Sequence, residues 1–413
     1  MTHPTYDLVV FGATSFVGQI LTRYLVEHLA SGQETLRWAI AGRSAAKLDE
    51  LKQSLGTAGA SLPVIVADAA SAADLRALCA QTRVVVSTVG PYAFYGEPLI
   101  KACVENGTDY CDLTGEVQWI HQMVSRYEAQ ARQSGARIVH CCGFDSVPSD
   151  MGVLFLQQQA QAAFGAPATQ VKMRVKVLKG GASGGTVASL MNVVEEAAAD
   201  PVLRKALRDP YYICPPGHGY TVRQHYVVAE YDADFDAWVA PFVMAAINER
   251  VVHRSNALSG NAYGAGFSYN EGMLTGGGLK GRLTALGLVT GLGAFMAGSA
   301  IKPIRGVMAK FLLPKPGEGP SPAAQLAGRF DIRFFGRTDA GQTLRLKVTG
   351  DRDPGYGSTG KMLGQAAISL ALDHDGEGGK TGRPGGFWTP ATMFDDRYIA
   401  RLTRFAGLGF ERV

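Results

Sequence analysis

The sequence predicts an α/β protein. A doubly wound parallel sheet comes first, and a second α+β domain with a mostly antiparallel sheet follows. Three observations carry this. Over residues 6–140, short apolar runs alternate with amphipathic stretches, the rhythm of crossovers that cover parallel strands on both faces. The first run ends in a glycine-bounded turn, Gly12-Ala13-Thr14-Ser15-Phe16-Val17-Gly18. Beyond residue 170 the apolar residues alternate with period two, which suits strands with one wet face.

The expected strands of the first domain are Asp7–Phe11, Leu36–Ala41, Leu62–Ala67, Val84–Thr88, Tyr110–Leu113 and Ile138–His140. Helical patterns lie between them, near 16–30, 45–55, 71–80, 97–106 and 117–134. In the second domain, Lys172–Val177 alternates as a strand. Arg329–Arg337 and Gln342–Gly350 read as a hairpin turning at Asp339-Ala340-Gly341. Helical patterns fall near 186–200, 240–256 and 357–372. Leu312–Pro322, rich in Pro and Gly, reads as a linker. The expected division is 1–150, 151–380 and a helical segment 381–413 that returns to the first domain.

Composition narrows the function. Of 413 residues, 46% are hydrophobic and 18% charged, so a disordered chain is excluded. Glycine, at 51 residues, is about 12% of the chain, well above the usual ~7%. Turns and ligand loops are the expected use. A net charge of +4, with no long basic run, gives no reason to expect nucleic acid. Six cysteines without a C-x-x-C pair favour a reducing compartment. With no signal-peptide pattern at the start, a cytoplasmic protein is expected. Leu283–Ile301 is the exception to an ordinary soluble pattern: 19 residues without a charge, long enough to span a bilayer. Gly287, Gly291, Gly293 and Gly298 weaken it as a helix, and both flanks are basic. The expected role is packing in a core, lining an acyl tunnel or touching a lipid surface, without crossing a membrane.

The Gly12–Gly18 turn carries the strongest chemistry. After the first strand of a Rossmann sheet, it presents a helix N-terminus to a pyrophosphate. Ser15 stands where such loops usually have glycine. At the end of the second strand, Arg43 and Ser44 occupy the place of the acid that holds a ribose hydroxyl in NAD enzymes. A 2′-phosphate, and hence NADP(H), is expected there. Asp68, after the third strand, either meets the adenine or caps a helix. Thr88-Val89-Gly90-Pro91-Tyr92 ends the fourth strand, where the nicotinamide should lie. Tyr92, Asp112 and Asp145 are candidate catalytic donors, and Glu116 is a further acid on the same rim. His140, Cys141 and Cys142 lack a matching ligand set, so no metal is expected. The loops Gly180–Thr186 and Asp353–Lys361 offer further backbone donors.

Together, Gly12–Gly18, Ala41-Gly42-Arg43-Ser44, Thr88–Tyr92, Tyr110–Glu116 and Gly143–Asp150 resemble the saccharopine dehydrogenase-like oxidoreductases. Ala240–Asn248, Asp353–Gly357 and Trp388–Thr392 extend the resemblance to the trans-acting enoyl reductase branch. The resemblance implies an NADP-binding domain, a second α+β domain and reduction of an enoyl thioester carried by a separate synthase. It names no catalytic acid. Two other readings stay open: an imine or amino-acid oxidoreductase, and a lipid-surface protein whose nucleotide is not used for catalysis. The expected partner is a small-molecule or carrier-bound acyl substrate, with peripheral lipid contact and a homodimer left open.

Overall fold

The computed structural model describes residues 4–181, 184–301, 306, 319–376, 379–380 and 382–413. The strands of its first half are β1 (Tyr6–Phe11), β2 (Trp38–Gly42), β3 (Val64–Val66), β4 (Thr82–Ser87), β5 (Asp109–Asp112) and β6 (Arg137–Val139). Next come β7 (Gln170–Lys179), β8 (Glu230–Asp232), β9 (Ala237–Pro241) and β10 (Ser268–Gly276). The last are β11 (Arg329–Arg337), β12 (Thr343–Gly350), β13 (Asp375–Gly376), β14 (Gly379–Lys380), β15 (Gly386–Trp388) and β16 (Leu408–Arg412). The described residues divide into two compact units. One draws on 1–144 and 355–406, the other on 145–316, 320–354 and 407–413.

The first unit is built on a seven-stranded sheet in the order β15-β6-β5-β4-β1-β2-β3. Its pairings are all parallel, as in Val9↔Ala39 and Val9↔Val85. Leu8, Val9 and Val10 of β1 and Val84, Val85 and Val86 of β4 are buried, because helices cover both faces. The helix Thr359–Leu372 packs on β1, β4 and β5 and on the first helix, Phe16–Ala30. Gly360 and Gly364 permit that approach. A Cβ at either position would come within 2.8 Å of Ile20 or Tyr24.

The expected boundary therefore shifts. The helix near 357–372 belongs to the first unit, not the second. Its period-3.6 pattern showed an apolar face but not which sheet that face would cover. The segment after 381 supplies both a strand, β15, and the helix Pro390–Phe405. Arg401 of that helix pairs with Glu34 at 2.7 Å and with Asp373.

The second unit holds a seven-stranded mixed sheet, β16-β12-β11-β7-β10-β9-β8. Only β7 and β10 run parallel; the other pairs are antiparallel, including the β11–β12 hairpin with Phe334↔Leu346. The helix Val147–Phe164 lies close on β11 because Gly152 leaves room for the Phe334 ring, which a Cβ would meet at 2.4 Å. The helical pattern expected at 240–256 begins later. Ala237–Pro241 is strand β9, and the helix runs Ala245–Leu258. Of the expected linker, residues 312–318 lie outside the described residues.

The uncharged stretch forms most of a 23-residue helix, Gly278–Ala300. Only Gly281, Ala285, Gly298 and Ser299 of it are buried. Leu279, Leu283, Leu286, Leu288 and Met296 are exposed, so packing in the core of this unit is not its role.

Candidate active site

Strand order in the first unit reverses between β1 and β4, and their carboxyl ends frame a ligand crevice. Gly12 leaves β1 at φ +85°, a conformation that favours glycine. Its N–H and that of Ala13 both donate to Ala41 O, at 2.9 and 3.1 Å, and tie the turn to β2. Ser15 caps the first helix: its hydroxyl accepts from Gly18 N–H at 2.9 Å and lies 2.9 Å from Thr88 Oγ1. Thr88 in turn donates to Gly12 O at 2.9 Å. Serine in place of glycine at position 15 thus fastens the loop to the end of β4. A Cβ on Gly18 would fall 2.2 Å from Gly12 O, so the helix can sit this close only with glycine there.

The N–H groups of Thr14, Phe16 and Val17 have no partner among the described residues. They open the helix Phe16–Ala30, whose positive dipole end adds to them. A pyrophosphate takes donors of this kind. Arg43, one residue past β2, is exposed and has no hydrogen bond or ion pair among the described residues. Ser44 beside it caps the helix Ala45–Ser54. Asp68 is exposed; one oxygen accepts from Ala70 N–H at 2.9 Å, while Ser71 caps the next helix. The residues present therefore fit an NADP: loop donors for the pyrophosphate and a free guanidinium for the 2′-phosphate. A cavity of about 580 Å³ in this unit lies instead at the amino ends of the strands, beside Tyr6, Trp38 and Pro63.

Gly12 has a second constraint that its motif did not show. A side chain there would meet Val89 Cγ2 at 2.6 Å and Thr88 Oγ1 at 2.9 Å. The space it keeps open is taken by the β4 loop, where the sequence pattern alone suggested only the cofactor.

Two of the three candidate catalytic residues have other duties. Tyr92 is buried, and its hydroxyl donates to Ser87 O at 2.9 Å. Burial and the nearby Asp112 hold that phenol well above its usual range. Asp112 is wholly buried and accepts at both oxygens. Thr114 N–H (3.1 Å) and Cys141 N–H (3.3 Å) reach one; Tyr110 hydroxyl (3.0 Å) and His140 Nδ1 (2.8 Å) reach the other. It is a clamp between the ends of β5 and β6. Glu116 likewise accepts from Tyr92 and Ala93 N–H, at 2.8 and 2.9 Å.

Asp145 differs. It is half-buried, desolvation lifts its carboxyl to about 7, and no described residue bonds to it. His140 was set aside in the sequence for want of metal partners. The structure makes it the ring held by Asp112, with Nε2 buried and unpartnered. His140 directly precedes a cysteine pair and lies 28 residues from Asp112, so the histidine–aspartate pairing left no trace in spacing. No cluster of metal-ligating side chains occurs among the described residues. In the second unit, Gly181 N–H donates to Asp353 Oδ1 at 3.0 Å, while residues 182–183 of that loop lie outside the described residues.

The β3-β2-β1-β4-β5-β6 order, the glycine turn at its reversal and a free arginine after β2 define a dinucleotide-binding oxidoreductase. The model of the saccharopine dehydrogenase NADP binding domain matches residues 8–139. NADP(H) is the cofactor. A Mycobacterium tuberculosis protein provisionally named a trans-acting enoyl reductase is 39% identical over 409 residues, covering 96% of this chain and 95% of its own. Trans-acting enoyl reductases of Mycobacterium bovis and Mycobacterium ulcerans are 36% and 34% identical, at the same coverage. The chain belongs to the trans-acting enoyl reductase family, whose NADP-binding domain is of the saccharopine dehydrogenase type. Saccharopine dehydrogenase (L-Glu forming) of Saccharomyces cerevisiae shares the fold: TM-score 0.53 over 99% of this chain and 100% of that one, at 12% identity.

Proposed function

We propose that this NADP-dependent oxidoreductase reduces the carbon–carbon double bond of an α,β-unsaturated acyl thioester. The observation that carries the reading is full-length similarity, at 34–39% identity, to proteins named for enoyl reduction. When bound, NADPH supplies a hydride for the β-carbon. The chain's own part is to hold the cofactor and supply a proton for the α-carbon. Thr14, Phe16 and Val17 N–H bind the pyrophosphate and Arg43 the 2′-phosphate. Asp145 is the candidate proton donor. Its carboxyl, lifted to about 7, is about half protonated at neutral pH and is not engaged by a described neighbour. A general acid is most useful with a pKa near the working pH.

The test is NADPH consumption with crotonyl-N-acetylcysteamine, a small enoyl thioester, followed by identification of the butyryl product. Oxidation of NADPH with that thioester, and none with an amino acid plus an aldehyde, is expected. The reverse pattern would assign imine reduction. A reductase that ignores N-acetylcysteamine thioesters but reduces an enoyl group on an acyl carrier protein would keep the chemistry and require a protein-borne substrate.

A further inference from the structure

The second unit contains a cavity of about 400 Å³, within the ~300–1,000 Å³ of small-ligand sites. Its walls include Val227, Pro241, Phe242 and Ala246, and its polar residues include Glu249 and Arg250. Arg250 is 4% exposed. Its two terminal nitrogens donate to Ala246 O and Leu207 O, while Nε is buried with no partner. Glu249 is 3% exposed. One of its oxygens accepts Glu271 N–H at 3.0 Å, and no described residue bonds to the other. Among the described residues, the second Glu249 oxygen is therefore the unengaged polar atom that a ligand in this cavity can meet.

We propose that this cavity binds an acyl group, with its chain against Val227, Pro241 and Phe242 and its carbonyl or carboxylate oxygen on the Glu249 carboxyl. Burial and the adjacent Glu271 push the Glu249 carboxyl up to about 8. At neutral pH it is therefore mainly an O–H donor beside the cationic Arg250. Such a pair selects an acceptor oxygen, and the apolar walls select the tail behind it. Glu271, also in the cavity lining, accepts from Tyr269 hydroxyl at 2.7 Å and Asn248 at 2.9 Å. The proposal holds whether or not the acyl group bound here is the one reduced.

The experiment is a calorimetric titration of the full-length protein, without NADPH, using octanoate and octanoyl-N-acetylcysteamine. Binding of octanoate assigns a free fatty acid; binding of the thioester alone assigns a carried acyl group; either supports the site. Ala246 is exposed, so Ala246→Phe should fold normally and place its ring in the cavity. It should weaken the bound ligand at least about tenfold. Glu249→Gln keeps an oxygen for Glu271 N–H and an amide donor for the ligand, and should hold affinity within about threefold. Glu249→Leu should lose about tenfold or more. NADPH binding by each variant verifies the fold. If neither ligand binds, or if Ala246→Phe leaves the affinity unchanged while NADPH still binds, the proposal is overturned.

Discussion

His140 Nδ1 lies 2.8 Å from Asp112 Oδ2, and both side chains are buried at the carboxyl ends of β6 and β5. Asp112 accepts from three more groups, so the pair is the centre of a network that fixes the rim loop Cys141–Phe144. Removing the carboxylate would strand several buried donors. Asp112→Ala should therefore cost about 3 kcal/mol or more in urea unfolding. A catalytic Asp112 would behave differently, losing rate at nearly unchanged stability.

How much of this was legible differs by element. Six strands of the first sheet were, because each carries a short apolar stretch and Gly12 falls at the turn after the first; the three-residue β15 was not. Residues 357–372 read correctly as a helix, but its sheet was misassigned. An amphipathic face shows that something is covered, not what. Strand β10 escaped because its Asn270 and Glu271 are buried polar residues, which break the alternation a strand would show. At the site, the turn at Gly12 and the helix start that follows it were readable from position alone. The inward roles of Tyr92 and Asp112 were not, since a rim acid and a rim clamp look alike until their hydrogen-bond partners, 28 or more residues away in the case of His140, fold onto them.

Arg43 is exposed and unengaged among the described residues, so its loss should leave the fold intact. A charge-assisted bond to the 2′-phosphate is worth about 1.5–3 kcal/mol, or about ten- to a hundredfold in affinity. Arg43→Ala should weaken NADPH by that factor and leave NADH nearly unchanged in fluorescence titrations. Equal weakening of both would remove the 2′-phosphate assignment.

Gly12→Val should do more than block the cofactor. The substituted residue would be strained at φ +85° and would press on Val89 and Thr88. A loss of about 2 kcal/mol or more in stability is expected, together with loss of NADPH binding. Retention of full thermal stability would mean that the β4 loop yields to the side chain.

Stability should fall as pH rises through the neutral range. Glu249 titrates near 4.5 when unfolded and at about 8 when folded, so between these values the folded state holds the extra proton. Asp145 and Glu271, both lifted to about 7 chiefly by burial, act in the same direction over a narrower window. The contribution is fully present below about pH 4.5 and is lost as pH approaches 8. Urea midpoints measured from pH 5 to 9 should decline across this window beyond what other groups impose. Glu249→Gln should flatten the decline, and a parallel slope in that variant would show that Glu249 ionises freely in the folded state.

The helix Gly278–Ala300 is about 34 Å long, enough to cross a hydrocarbon core. We nevertheless expect it to lie on a lipid surface and not to span one. Its near end packs on β9 and β10, which hold it against the second unit's sheet. Thr284 and Thr290 donate to the carbonyls of Lys280 and Leu286, each at 2.9 Å, so the exposed hydroxyls are already bonded within the helix. Leu279, Leu283 and Leu286 remain exposed, with Lys280 and Arg282 on the same end. Basic residues at such a surface contribute about 1 kcal/mol each toward anionic lipid. The protein should therefore sediment with phosphatidylserine vesicles at low salt, far less with phosphatidylcholine, and leave both at high salt. Replacing Leu283 and Leu286 with serine should abolish sedimentation while NADPH binding persists. Extraction from cell membranes by detergent alone, with the helix protected from protease along its length, would instead establish a span.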